Sequence, residues 1–370
     1  MFMRVDRHKN NKLIQSYIDN DLPKFIKLIK DGANVNCVDD YGVSLIAKVL
    51  SRQKFNVDPK GYFDALIDAG VYLGKIGRES PLTWYSIYHY EDTYYLKKLL
   101  DNNIDVNLRG HCNLLSKPCG PPIIDTLSHD RLKHFKLLLK YNPNLEICDS
   151  DGDGLLCTFL SAAYYYSHPR TIHGDPKKIN KRYKDLFKKL IKKGVDPNER
   201  GDGGRQPIHY IVQRCMGDLE LLDYLFQSNI EIEINARDTQ GNTALMSAVE
   251  TWKTDVVDFL INKNARLNIC NTNGHSASAI AAISYNHRIF DLLSKSGDDY
   301  LSIDFNGNNI LHHLHKFETD EYYYETILKK SPELLLMKNN LGKTPYDLFN
   351  KQKGKNLPLF NKFLKQQERS

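Results

Sequence analysis

Two groups of side chains have residue types that can ligate a metal ion. They are His312, His313 and His315 in one group, and His111, Cys112 and Cys119 in the other. Zinc sites draw their ligands from cysteine and histidine pairs with characteristic short spacings. The second group lacks that spacing, and the first is explained below by a structural role. We therefore expect no metal site.

Catalytic motifs are also missing from the sequence. It contains no G-x-S-x-G elbow, no H-E-x-x-H and no kinase set. The glycine-rich stretch 201–205 is not followed by a P-loop lysine. Residues 149–154 match the opening of a calcium loop, but Leu160 stands where a bidentate glutamate is needed. We predict a protein without catalytic residues or cofactors, although a site hidden in the large insertions described below stays open as an alternative.

The densest run of charge lies at 177–193, where Asp185 is the only acidic residue. Helical spacing puts apolar side chains on one stripe and a basic patch, defined by Lys184, Lys188 and Lys192, on another face. Such a face is either solvated, or it binds an acidic protein, nucleic acid or an anionic membrane. Both interpretations stay open from the sequence alone.

The composition favours a folded chain rather than a disordered one. Apolar residues make up 41% and charged residues 26%, and the net charge of +6 is mild for 370 residues. The seven cysteines include no C-x-x-C pair, which indicates reduced thiols in a cytosolic setting. The sequence shows neither the apolar run of a signal peptide nor one of about 18 apolar residues. We expect a cytoplasmic protein without a transmembrane segment.

The elements that must position these side chains come from an internal repeat. Gly241 and Gly274 are 33 residues apart, and so are Leu245 and Ser278. Similar sequences surround both pairs, in the stretches 238–265 and 271–297. A fixed period of this length is typical of a solenoid.

Each copy predicts a tight turn and two helices. Gly241 permits the positive φ of a turn, and Thr243 can cap the helix that follows. A second helix has an apolar stripe formed by Val256, Val257, Leu260 and Ile261. It ends at 263–265, where a left-handed residue is common.

This pattern resembles the ankyrin repeat, with its D-x-x-G-x-T-P-L-H and V-x-x-L-L-x-x-G-A-x-x-N segments. The matches at T-P-L-H include QPIH at 206–209 and NILH at 309–312. The resemblance implies an all-α solenoid in which each repeat has a β-turn and two antiparallel helices. It also implies that His209 and His312 tie the turn to the helix, and that the array binds other proteins.

The resemblance covers nearly the whole chain and predicts about nine to ten repeats in a single array, 1–370. We divide the array into the N-terminal cap and first repeat at 1–38, the central repeats at 39–337, and a last partial repeat with a C-terminal cap at 338–370. Insertions are predicted near 52–60, 110–121 and 166–181.

The resemblance also locates the surface that would contact a partner. In the family, the turn tips and the exposed position after T-P-L-H face a concave groove. That position holds Trp84, Thr126, Tyr210, Ser247, Ile280 and His313. Because exposed Trp, Tyr and Arg are frequent interface hot spots, we predict a partner-binding set. It consists of Tyr41, Trp84, Tyr88, Arg205, Tyr210, His275 and Phe305.

The function we expect is a non-catalytic scaffold that binds another protein through its concave surface. Solitary arrays of this kind resemble effectors of intracellular bacteria and host-range factors of large DNA viruses. A host-directed protein in the host cytoplasm is therefore one specific expectation. The alternatives are a nucleic-acid or membrane binder that uses the basic patch, and an enzyme with its site in the insertions.

Overall fold

The computed structural model describes most of the chain, with gaps. The described residues are 7–51, 58–74, 91–108, 121–128, 130–149, 151–167, 176–213, 218–317, 319–352 and 357–367. The parts of the predicted insertions at 52–57, 110–120 and 168–175 therefore lie outside the described residues.

The chain divides into two compact units, residues 1–162 and 163–370. The described parts of both are built from helices and turns, as the sequence predicted. The bridges Val38–Ser44 and Cys148–Gly154 each close a single turn. The number of repeats and the single continuous array stay predictions.

The first unit contains short helices that pack in neighbouring pairs. Those lying wholly within it are α1 (Arg7–Ile18), α2 (Leu22–Lys30), α3 (Leu45–Leu50), α4 (Lys60–Asp68), α5 (Tyr94–Asp101), α6 (Pro122–Ser128) and α7 (Leu132–Leu138). Helix α2 packs against α1 and α4, and α6 packs against α7. A 3-10 turn, Leu139–Tyr141, follows α7. The helix α8 (Leu155–Ser167) spans the boundary between the two units.

The second unit has two layers of helices. In chain order they are α9 (Pro176–Lys192), α10 (Pro207–Gln213), α11 (Leu219–Phe226), α12 (Ala244–Glu250), α13 (Thr254–Asn262), α14 (Ala277–Ile283), α15 (His287–Lys295), α16 (Ile310–Leu314), α17 (Glu321–Lys330), α18 (Pro345–Gln352) and α19 (Leu357–Gln367). Helices α10, α12, α14, α16 and α18 pack successively in one layer, while α9 packs on α11 and α13 on α15 in the other. Since α9 begins at Pro176, residues 176–181 of the insertion predicted at 166–181 are helical.

Local interactions within each repeat define its turn and its two helices. The side chain of Thr243 caps α12 by accepting from the amide of Met246 at 3.4 Å, as the sequence predicted. Val256, Val257 and Leu260 are buried on α13. The helix ends before Asn264, whose backbone is left-handed with a φ of 64°. Each neighbouring repeat covers an apolar face that a single repeat would expose, so stability is approximately a sum over nearest neighbours.

Candidate functional site

Six of the described turns that precede a first helix share one geometry. In the turn at 304–308, one carboxylate oxygen of Asp304 accepts hydrogen bonds from the amides of Asn306 and Asn308, both at 2.8 Å. Equivalent turns begin at Asp39, Asp149, Asp238, Asn271 and Asn339. An aspartate or asparagine is suited to this position because its short side chain bonds to the amides two and four residues later.

Consecutive turns are joined to one another by hydrogen bonds. The amide of Asn340 donates to the carbonyl of Asn306 at 2.9 Å, and its side chain donates to the carbonyl of Phe305 at 3.0 Å. The amide of Thr272 donates to the carbonyl of Gln240 in the same way, at 2.9 Å. These bonds hold neighbouring turn tips side by side, so that residues on adjacent tips form one surface.

The last two turns expose large apolar side chains. Phe305 is 86% exposed and Leu341, on the adjoining turn, is 82% exposed. We call these two residues and the exposed apolar residues shortly before them in the sequence the apolar turn patch, which consists of Leu301, Ile303, Phe305, Leu336 and Leu341. Side chains of this size rarely cluster in solvent on monomeric proteins unless they mark an interaction site.

Phe305 belongs to the partner-binding set predicted from the sequence, whereas Leu341 does not. Leu341 immediately precedes Gly342 as Tyr41 precedes Gly42, so the repeat register could have identified it. Exposed charges of both signs lie near the patch in the sequence. Lys338 and Lys343 lie on either side of Leu341, while Asp299 precedes Leu301 and Glu333 precedes Leu336. The patch is therefore defined by its apolar side chains rather than by one sign of charge.

A buried cluster lies directly behind the turn that carries Phe305. The Nε2 atom of His313 is 3.1 Å from an oxygen of Asp304, and both side chains are buried. The rings of His275 and His313 meet edge to face at 5.2 Å between centroids, and His275 also contacts Phe317. Burial and the neighbouring His275 lower the pKa of His313 to about 4, against the opposing charge of Asp304. The predicted contact residue His275 is thus half-buried beneath the turn tips.

The family histidines have the structural role that the resemblance implied. Nδ1 of His209 accepts the amide of Gln206 at 3.2 Å, and its Nε2 lies 3.3 Å from the carbonyl of Asn242 in the next turn. His312 repeats this arrangement with Asn309, and with the carbonyl of Lys343 at 3.0 Å. Both rings therefore connect one repeat to the next.

The prediction that the position after T-P-L-H is exposed is wrong in the described repeats. Tyr210 is only 1% exposed, which removes it from the partner-binding set. The other described residues at this position, Thr126, Ser247, Ile280 and His313, are also buried. The cause is the close packing of successive first helices, in which the side chain of Gln213 on α10 donates to the hydroxyl of Ser247 on α12 at 2.9 Å.

The remaining predicted contact residues have different environments. Tyr41 projects from its turn in the first unit and is 91% exposed. Arg205 is partly exposed, with a guanidinium nitrogen 3.4 Å from Asp202. Trp84 and Tyr88 lie outside the described residues. For Tyr41, Arg205, His275 and Phe305, partner contact stays a prediction.

The basic patch is largely neutralised within the protein. The ammonium of Lys184 lies 2.6 Å from Asp218 and 2.9 Å from Glu220, and that of Lys188 lies 3.1 Å from Glu220. Lys188 also covers the ring of Tyr224 at 4.0 Å. Two of the three patch lysines are therefore paired with carboxylates from α11 and its N-cap, and ligand binding by this face stays a prediction. Lys192 is exposed.

Among the described residues, no three metal-ligating side chains come together in a way that could hold an ion. The cluster at 111–119 lies outside them. None of the described helices combines the length and apolar character needed to cross a bilayer.

Stacked turn–helix–helix units, joined through their turns and through buried histidines, define a helical repeat protein. Residues 178–269 match the family model for ankyrin repeats in three copies. Residues 178–269 are therefore recognised as ankyrin repeats, as the sequence predicted.

The relatives and one solved structure carry the same family description. An ankyrin repeat protein of Acanthamoeba polyphaga mimivirus is 23% identical over 240 residues, which are 59% of this chain and 30% of the relative. Ankyrin repeat domain-containing protein 13C of Homo sapiens is 36% identical over 89 residues, 24% of this chain and 16% of that protein. The crystal structure of the ankyrin repeat domain of Bcl-3, a member of the IkappaB protein family, has a TM-score of 0.46 at 16% identity, covering 61% of this chain and 92% of that one. The chain thus spans less than a third of the length of these two sequence relatives.

Proposed function

We propose that this protein is a non-catalytic scaffold that binds another protein through the tips of its turns. Ankyrin repeats are in general protein-interaction modules, and the family match supports this class of function. The surface assigned to the partner is the apolar turn patch of the second unit, and Tyr41 is a separate proposed contact in the first unit. It replaces the inner helical positions expected from the sequence, because those positions are buried.

The observation that carries the proposal is the exposure of Phe305 and Leu341 on turns that are hydrogen-bonded together. Burying apolar area yields roughly 25 cal/mol per Å². Two such side chains at the centre of a contact are therefore sufficient to act as hot spots when a partner covers them. Because neighbouring turns hold them side by side, little further ordering is required on binding.

Site-specific crosslinking in the intact chain tests the proposal. A photoreactive phenylalanine analogue placed at 305 or 341 should crosslink to one protein in an extract of the cells that make this chain. The matched control is the same analogue at Asp223, an exposed position on α11. Equal crosslinking from all three positions would contradict the assigned surface. So would crosslinking from position 305 that Leu341→Ser leaves unchanged.

A host-directed role is the more specific function we propose. The similarity to a mimivirus ankyrin repeat protein supports it. Crosslinking from position 305 in an amoebal extract should then capture an amoebal protein. If the partner recovered instead comes from the organism that makes the chain, the scaffold function stands and the host-directed role fails.

A further inference from the structure

Two exposed aromatic residues occupy the same backbone position in neighbouring repeats. Trp252 follows α12 and its amide donates to the carbonyl of Val249 at 3.1 Å. Tyr285 follows α14 and its amide donates to the carbonyl of Ala282 at 3.2 Å. Trp252 and Tyr285, which we call the aromatic pair, are 33 residues apart.

The backbone at this position is left-handed, which disfavours bulky side chains. Trp252 has φ of 61° and Tyr285 has φ of 57°. In the first unit the same position is held by Asn20 and Asp130, with φ of 56° and 50° and the corresponding hydrogen bonds to Tyr17 and Leu127. Asparagine and aspartate tolerate this conformation, whereas a bulky residue there is a steric outlier. The fold itself therefore does not call for aromatic residues at these two places.

The aromatic pair is also placed where a partner can reach it. Trp252 is 58% exposed and Tyr285 is 50% exposed. They follow the ends of their helices, whereas the apolar turn patch lies beside turns that precede such helices. Since α12 and α14 have seven residues each, about 10 Å of helix separates the two kinds of surface. Strained residues cluster at functional sites, and both of these aromatic side chains also remain at least half exposed.

The spacing of the aromatic pair fits one kind of protein segment. Helices α12 and α14 pack directly on each other, and packed helix axes are about 8–10 Å apart. A polyproline II segment returns to the same face every three residues, at about 3.1 Å per residue, which is about 9 Å. Proline-rich segments in this conformation dock on tryptophan and tyrosine rings, and they lose little entropy because the conformation is already formed.

Charged residues next to the aromatic pair determine which charges a bound segment would need at its two ends. The Trp252 turn is flanked by exposed carboxylates on Glu250 and Asp255. The Tyr285 turn is followed by the exposed guanidinium of Arg288. A segment with a basic residue at one end and an acidic residue at the other complements both turns.

We propose that the aromatic pair is a docking site for a proline-rich segment of another protein in polyproline II conformation, with a basic residue over Trp252 and an acidic residue over Tyr285. This inference rests on the proposed scaffold function but uses a surface distinct from the apolar turn patch.

Calorimetric titration of the full chain tests the proposal. The probes are two synthetic peptides with proline at every third position, one with arginine first and glutamate last and one with the reverse order. One of them should bind, and Trp252→Asn or Tyr285→Asn should weaken that binding at least about tenfold. Both variants should keep or raise the thermal midpoint, because asparagine relieves the left-handed strain. Arg288→Glu should weaken the same peptide and restore binding of a version with lysine in place of its glutamate.

Several results would overturn the assignment. A peptide with glycine in place of proline could bind equally well, or an amphipathic helical peptide could bind better. Trp252→Asn could lower the thermal midpoint, which would make the tryptophan a packing residue. If the peptides do not bind while crosslinking from position 305 succeeds, only this inference fails. As a control, Phe305→Ser with Leu341→Ser should leave peptide binding unchanged.

Discussion

His313 lies 3.1 Å from Asp304, the residue whose other carboxylate oxygen organises the turn bearing Phe305. One buried side chain therefore links the first helix of a repeat to the turn that presents an apolar contact residue. Hydrogen bonds from Asn308 and Asn306 outweigh burial and lower the pKa of Asp304, so its carboxylate stays charged beside the neutral imidazole at neutral pH.

The stability of the second unit should fall on acidification because of this cluster. The pKa of His313 is about 4 in the folded chain and about 6.5 when unfolded, so the unfolded chain binds more protons between these values. The free energy of unfolding should decrease as pH drops from about 6.5 to about 4. Burial also lowers the pKa values of His275 and His312, which act in the same direction.

The variant His313→Asn isolates that contribution. Urea titrations between about pH 7 and pH 4 should show a smaller loss of stability than in the parent chain, since one of the proton-linked groups is gone. A mutant whose stability falls as steeply as the parent would show that His313 does not govern this acid response.

Gly274 is required by its backbone and by its neighbours. Its φ is 79°, and an added Cβ would lie 2.5 Å from Nε2 of His313 and 2.7 Å from the Asp304 carboxylate. Gly274→Ala should therefore cost more than the roughly 1–2 kcal/mol of left-handed strain alone. Gly342→Ala is the matched control, because its φ is 70° and its Cβ would meet nothing within 4 Å. If chemical denaturation shows equal losses of unfolding free energy for the two variants, His313 and Asp304 accommodate the added methyl group at no cost.

The repeat pattern predicted positions that depend on local backbone chemistry. Gly241 and Gly274 have the positive φ expected for the turn, at 76° and 79°. The Thr243 cap and the left-handed Asn264 also follow from local rules, because each depends on residues within one repeat. The backbone conformation at these positions could be predicted from the sequence because it follows from residue types within one repeat.

The exposure of individual side chains depended on neighbours and was predicted less well. Tyr210 is covered because first helices of adjacent repeats pack closely, and Lys184 is neutralised by carboxylates from α11. The strain at Trp252 escaped prediction because no sequence rule singled out the residue after the first helix. Contacts between repeats determine the exposure and the ion pairs of these side chains, and the sequence of a single repeat does not predict those contacts.

The core should be sensitive to truncation at equivalent repeat positions. Leu245 on α12 is almost completely buried, so Leu245→Ala should cost about 2–5 kcal/mol through lost contacts and a residual cavity. Leu341→Ala removes the same atoms from an exposed turn and should change stability by no more than about 0.5 kcal/mol. Urea denaturation of the two variants beside the parent chain gives the comparison. A similar loss at both positions would place Leu341 in the folded core.

Glu220 should mask the basic face of α9. Because its carboxylate contacts both Lys184 and Lys188, Glu220→Lys would release the ammonium of Lys188, leave Lys184 paired with Asp218 alone, and add a further positive charge beside them. The variant should elute from a heparin column at higher salt than the parent, since more cations on one face neutralise more sulfate groups. Asp223→Lys, an equal change of charge on the same helix, should shift elution less, because no ion pair with these lysines is broken. If both variants elute together, net charge alone controls binding and Glu220 masks nothing.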